Sequence, residues 1–204
     1  SIWGRGTDLN PQNRFDSLNY SNDPDYDGSG VKIKTEFLND FSKSVLTTNN
    51  SPDIPFNVSL NPYRGWEHGC SYCYARPSHE FLGFSSGLDF ETKIMVKHDA
   101  PQLLRKALSR KRWKTQPITL SGVTDPYQPI EREKRITRNC LKVLLEFRNP
   151  VSLITKNNLI LRDLDILTEL AEYNCISVVI SIISLDHKIM QCYGTPDIDA
   201  GKAF

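Results

Sequence analysis

The sequence predicts an α/β fold built on a parallel sheet, and three observations predict it. From residue 53 onward short apolar runs alternate with helix-like stretches, the strands recurring about every 25 to 40 residues. The last run, residues 176–184 (ISVVISIIS), is almost continuously apolar, as a strand covered on both faces should be. Polar, chemistry-bearing clusters follow directly on the runs, where the carboxyl ends of parallel strands hold ligands.

Residues 1–51 read as an N-terminal arm. They are rich in Asn, Asp, Ser and Gly, with little periodicity, and predict a loose, mostly irregular segment with one short ordered piece around residues 31–41. Residues 52–204 read as the core, about four βα units. Residues 56–60 are the first strand and run straight into a loop with two cysteines. Residues 90–96 add a short extended piece. A helix follows over 101–113, with Leu103, Leu104, Ala107 and Leu108 on one face.

Residues 117–122 (PITLSG) are the second strand. The next helix, 133–148, carries an apolar stripe of Ile136, Cys140, Val143, Leu144 and Phe147. Residues 151–155 are the third strand, and 161–173 a third helix with Leu164, Leu167, Leu170 and Ala171 inward. After the fourth strand the sequence stops at Phe204, having begun at Ser1 without a methionine, which reads as a fragment incomplete at its C-terminus.

Composition narrows the function classes. Hydrophobic residues are 39% and charged residues 24% of the 204, ordinary for a water-soluble globular chain. The formal net charge of +1 neither demands nor excludes nucleic acid, since a local patch can hide in a neutral total. The longest apolar stretch, 175–185, is too short for a bilayer span, so no membrane partner is expected. Five cysteines, three of them (Cys140, Cys175, Cys192) without motif spacing, fit reduced thiols in a cytoplasmic setting.

The most informative segment is residues 61–77, NPYRGWEHGCSYCYARP. Cys70 and Cys73 are two residues apart, Tyr72 precedes the second thiol, and Trp66 lies four residues before the first. A cysteine at 66 would complete C-x3-C-x2-C, three thiolates able to hold three irons of a cubane and leave the fourth open. Taken alone, Cys70-x2-Cys73 also fits half a zinc site or a redox dithiol. The other polar clusters are Thr124-Asp125 after the second strand, Lys156-Asn157 after the third and Ser184 to Asp186 after the fourth.

Several long segments, in order, carry a resemblance: SPDIPFNVSLNPYRG, EHGCSYCYARPSHEFLG, GLDFETKI, LSGVTDPYQPIE, ITKNNLILRDLDIL and SIISLD, with a weaker match at GRGTDLNPQNRF near the start. Over residues 52–186 the chain resembles radical S-adenosylmethionine (radical SAM) enzymes of the spore-photoproduct-lyase-like, or DNA repair photolyase-like, group. The resemblance implies a partial (βα)6 barrel carrying a 4Fe–4S cluster whose open iron binds S-adenosyl-L-methionine. It also implies reductive cleavage of that cofactor to a 5′-deoxyadenosyl radical, for lyase or repair chemistry on DNA lesions. A reductant such as flavodoxin or ferredoxin, and DNA, would be the partners.

Carried over by position, Cys70 and Cys73 match the second and third cluster ligands, and Tyr72 the aromatic position near the adenine. Thr124 and Asp125 stand where the methionyl amino group is held. Lys156, with Ser181 or Ser184, stands where later strands meet the carboxylate or ribose. Trp66 departs from the family, replacing its first cysteine; His68 and Glu67 are the nearby side chains that could substitute. A second reading follows from that departure: a non-catalytic degenerate barrel that binds nucleic acid or a partner, with Trp66 packed where a cluster once sat.

The remaining polar residues carry blander expectations. Arg105, Lys106, Arg110, Lys111, Arg112 and Lys114 read first as a solvated helix end and second as a phosphate grip with Trp113 stacking on a base. His79, Glu80 and His98 read as structural hydrogen-bonders or acid–base groups, Asp89 and Glu91 as solvated strand flanks, and Cys140 as core.

Overall fold

The computed structural model describes residues 5–16, 34–182 and 184. Much of the expected arm (17–33), and Asp186 and Cys192, lie outside the described residues. The order is β1 (Glu36–Asn39), β2 (Leu46–Thr48), β3 (Val58–Leu60), β4 (Tyr63–Arg64), a 3-10 segment (Arg76–Leu82), α1 (Leu88–Thr92), β5 (Lys93–Val96), α2 (Ala100–Leu108), β6 (Ile118–Leu120), α3 (Glu131–Lys134), α4 (Ile136–Glu146), β7 (Val151–Thr155), a second 3-10 segment (Asn158–Asp163), α5 (Leu164–Glu172) and β8 (Ile176–Ile180).

The fold is mixed α/β with mostly parallel strands. The main sheet runs β2-β3-β6-β7-β8, with β3, β6, β7 and β8 parallel and β2 antiparallel to β3. Registers such as Leu60 with Leu120 and Leu120 with Leu153 align the strand ends. A smaller sheet sets β5 between parallel β1 and antiparallel β4. Among the described residues the main sheet is open, bounded by β2 and β8.

Outside the third helix the core follows the expected periodicities. Leu60, Ile118, Leu120 and Leu153 from the strands meet Leu104, Leu141, Leu144 and Leu170 from the helices, all fully buried. Each such side chain contributes roughly 1.5–3 kcal/mol. Cys140 is core, as expected. Among the described residues, no helix is long and apolar enough to cross a membrane.

Several expectations need correction. The stretch 133–148 is two helices, broken at Arg135, whose φ of 52° is left-handed. The buried carboxylate of Glu131 causes the break to be stable: it accepts the Thr137 and Arg138 N–H groups at 3.0 and 3.3 Å, capping α4 from outside it. The extended piece expected at 90–96 begins only at Lys93, because Phe90 to Thr92 belong to α1. Helix α2 stops at Leu108, and Trp113 is half-buried with its Nε1 donating to Asn149 Oδ1 at 3.1 Å, so it is no free stacking platform.

The third helix starts as a 3-10 turn, which rotates its apolar face. Ile166, Leu167 and Leu170 turn inward, while Leu164 and Ala171 are exposed. β8 is not covered on both faces: Val178, Val179 and Ile180 are 42–53% exposed, because it is the outer strand of the described sheet.

The described part of the arm is irregular over residues 5–16 but not loose. Leu9 O accepts Leu88 N–H at 3.0 Å, and Asn13 Nδ2 donates to Glu80 O at 2.8 Å. The strands β1 and β2 tie residues before 52 to β5 and β3.

Candidate functional site

The cysteine loop leaves β3 and β4 and folds over the carboxyl ends of β6, β7 and β8. Its conformation is set largely by Arg76. That guanidinium donates to Gly69 O at 2.9 Å, Cys70 O at 3.0 Å, Gly87 O at 3.1 Å and Ser86 O at 3.3 Å, and pairs with Glu91. Glu91 is fully buried, not a solvated flank, and also accepts Arg5 N at 2.6 Å and Gly6 N at 3.0 Å. A Cβ on Gly6 would overlap Gly69 O at 1.5 Å, so only glycine lets the arm lie on the loop. Gly69 itself has φ 66° and faces the Glu91 carboxylate.

Both thiols sit within this frame. Cys70 is completely buried against Trp66, Ala75 and Phe90, and Cys73 packs on the same cluster. Burial pushes both thiols up; Tyr72 and Lys156 oppose this at Cys70, and the N–H of Ala75 with Arg76 at Cys73. Cys73, but not Cys70, lines the same cavity as Lys156.

Beside them is a cavity of about 220 Å³ lined by Trp66, Cys73, Thr124, Asp125, Lys156 and Ser181, among others. The strand ends and the cysteine loop thus bring six of the residues singled out by sequence to one space. Tyr72 is not among the lining residues but lies beside Lys156, its hydroxyl 3.4 Å from Lys156 Nζ and its ring 5.5 Å from that ammonium. Lys156 also donates to Ser181 Oγ at 3.1 Å. Ser184 is not among the residues lining the cavity.

Two of the expected binders are engaged inside the protein. Asp125 accepts Thr155 Oγ1 at 2.7 Å and the N–H groups of Tyr127 and Lys156 at 2.8 Å each, which ties the end of β6 to that of β7. Its burial nevertheless raises its pKa. Thr124 donates to Gly65 O at 2.7 Å and so fastens the loop to β6. Ser121, at φ 141°, makes the sharp bend that aims Gly122 and Val123 at the cavity; a non-glycine residue in that region is strained.

The donor set does not fit a cluster held by three side chains. Trp66, four residues before Cys70 where the expected motif would have a third thiolate, is 5% exposed, and its Nε1 has no hydrogen-bond partner. Among the described residues no three His, Cys, Asp or Glu side chains converge on a metal position. Neither substitute is directed there: His68 Nε2 meets Asn157 Nδ2 at 3.1 Å, and Glu67 Oε1 lies 3.9 Å from Arg5. Since Asn157 donates, the facing nitrogen of His68 is unprotonated, and burial holds that ring's pKa down to about 4.

His79 is structural. It is fully buried, donates from Nε2 to Lys93 O at 3.0 Å, and is likewise pushed down to about 4 by burial. Glu80 pairs with Arg14 at 2.7 Å, and His98 is exposed. Sequence reasoning missed Arg5, Gly6, Arg76 and Glu91 as builders of the loop. Their signal was present: all lie within the segments that carry the resemblance, Arg5 and Gly6 near the start, Arg76 beside the cysteines and Glu91 beyond them.

The fold and site define a mixed α/β protein with a two-thiol loop closing the carboxyl ends of parallel strands. Over 152 residues, 74% of this chain and 43% of the relative, it is 35% identical to the uncharacterized protein Rv2578c of Mycobacterium tuberculosis. The uncharacterized protein Mb2609c of Mycobacterium bovis gives the same values. The uncharacterized protein MJ0683 of Methanocaldococcus jannaschii is 29% identical over 136 residues, 67% of this chain and 48% of the relative. The chain spans less than half the length of these curated relatives. No family model and no solved structure matches it.

Proposed function

We propose that the chain carries the frame of a radical SAM site, a partial barrel whose strand ends and cysteine loop enclose a pocket for S-adenosyl-L-methionine, and that this copy does not assemble a complete 4Fe–4S cluster. The observation that carries this reading is Trp66, packed against both thiols and lining the same cavity as Lys156 and Ser181. Four neighbouring parallel strands, in chain order from β3, are consistent with a partial barrel.

In a copy with all three thiolates, the frame would support reductive cleavage of the cofactor, with flavodoxin or ferredoxin supplying electrons and DNA lesions as the candidate substrate. In this chain the residues instead favour binding without that chemistry. Lys156 would meet a carboxylate, Tyr72 would cover a flat base, and the buried, unpartnered Nε1 of Trp66 offers a further donor.

Equilibrium dialysis with labelled S-adenosyl-L-methionine tests the reading. Saturable binding is expected, weakened about tenfold in Lys156→Met through loss of one charge-assisted hydrogen bond. No binding to the folded chain, or binding indifferent to Lys156, contradicts it.

A further inference from the structure

A second cavity, of about 390 Å³, adjoins the first and shares Phe56, Tyr74, Gly122 and Val123 with it. Among the described residues two cations line it, Arg64 and Lys97, and no acidic side chain does. The carboxylate that balances them, Asp40, is buried behind: Oδ2 accepts Arg64 Nε at 2.9 Å and lies 3.8 Å from Lys97 Nζ. Asp40 Oδ1 is occupied by the N–H and hydroxyl of Ser42.

One carboxylate therefore serves two cations. The described charges at the pocket therefore sum to one net positive, and Lys97, only 5% exposed, has besides its share of Asp40 a single long hydrogen bond, to Ser44 O at 3.4 Å. A buried ammonium short of counter-charge is costly, and its pKa is depressed, first by burial and further by Arg64, with Asp40 opposing. An anion in the cavity would relieve it. The opposite wall is apolar, formed by Ile54, Phe56, Tyr74 and Phe81, the last two 79% and 73% exposed at the mouth.

We infer that this second cavity binds an organic anion, its phosphate or carboxylate group on Arg64 and Lys97 and its aromatic or apolar body against Phe56, Tyr74 and Phe81. The shared wall puts that ligand directly beside the cavity of Cys73 and Lys156. The inference is independent of any cluster or cofactor, because neither Arg64 nor Lys97 touches the thiol cavity.

Isothermal titration calorimetry on the whole chain tests it, with phenyl phosphate, benzoate and neutral phenol as probes. Phenyl phosphate or benzoate should bind at one site and at least tenfold more tightly than phenol, the tighter of the two naming the head group. Lys97→Met and Arg64→Gln should each weaken the anion about tenfold and leave phenol unchanged. Arg64 is partly exposed, so its variant carries the test if Lys97→Met does not fold. Anions binding no better than phenol, folded variants binding as tightly as the parent, or loss of binding on Lys156→Met instead would each overturn the inference.

Discussion

Arg76 shows how one side chain shapes the candidate site. It satisfies four loop carbonyls and neutralises the fully buried Glu91, so removing it leaves a buried charge alone and the loop carbonyls without their donor. Arg76→Met is expected to lower stability by about 3–5 kcal/mol, measured by urea unfolding. A loss under 1 kcal/mol would mean the loop holds its shape without this ion pair. Glu91 was expected to be a solvated flank because local periodicity carries no information about a partner fifteen residues away. The pairing of Cys70 and Cys73 in one loop was legible for the opposite reason: their spacing, and the position of Trp66 beside them, are short-range properties.

At the scale of elements, strands β3, β6, β7 and β8 were legible from apolar runs, and α4 and α5 from helical spacing. The break at Arg135 was not, since it depends on Glu131 reaching forward to two N–H groups while also receiving the Tyr63 hydroxyl and Arg162 at 3.0 Å. Glu131→Ala should fray the start of α4 and orphan Tyr63, costing about 3 kcal/mol. Hydrogen exchange at Thr137 and Arg138 reads this directly; protection unchanged from the parent would contradict the capping role. The exposure of β8 was illegible too, because apolar content reports what a strand could bury and not what lies on it.

Across the whole molecule, two imidazoles, His79 fully buried and His68 half-buried, give stability a pH dependence. His68 and His79 are held neutral by burial, each titrating at about 4 in the folded chain against 6.5 when free. A depressed folded pKa means the contribution is fully present above about pH 6.5 and is lost as pH falls toward 4. The unfolding free energy from urea titration should therefore fall between about pH 6.5 and 4.5, by roughly 2 kcal/mol for His79, and His79→Gln should flatten that slope. A flat profile in the parent would mean the rings are hydrated.

The architecture as a whole brings thiols, strand ends and arm to one place, and the proposed function turns on a single missing ligand there. Anaerobic reconstitution with iron and sulfide, compared between the parent chain and Trp66→Cys, tests this most directly. The parent should retain less than a cubane's complement of iron and sulfide, and Trp66→Cys should acquire a full one with visible iron–sulfur absorption. A parent that fills completely, or a folded Trp66→Cys that takes up no more iron than the parent, would contradict it.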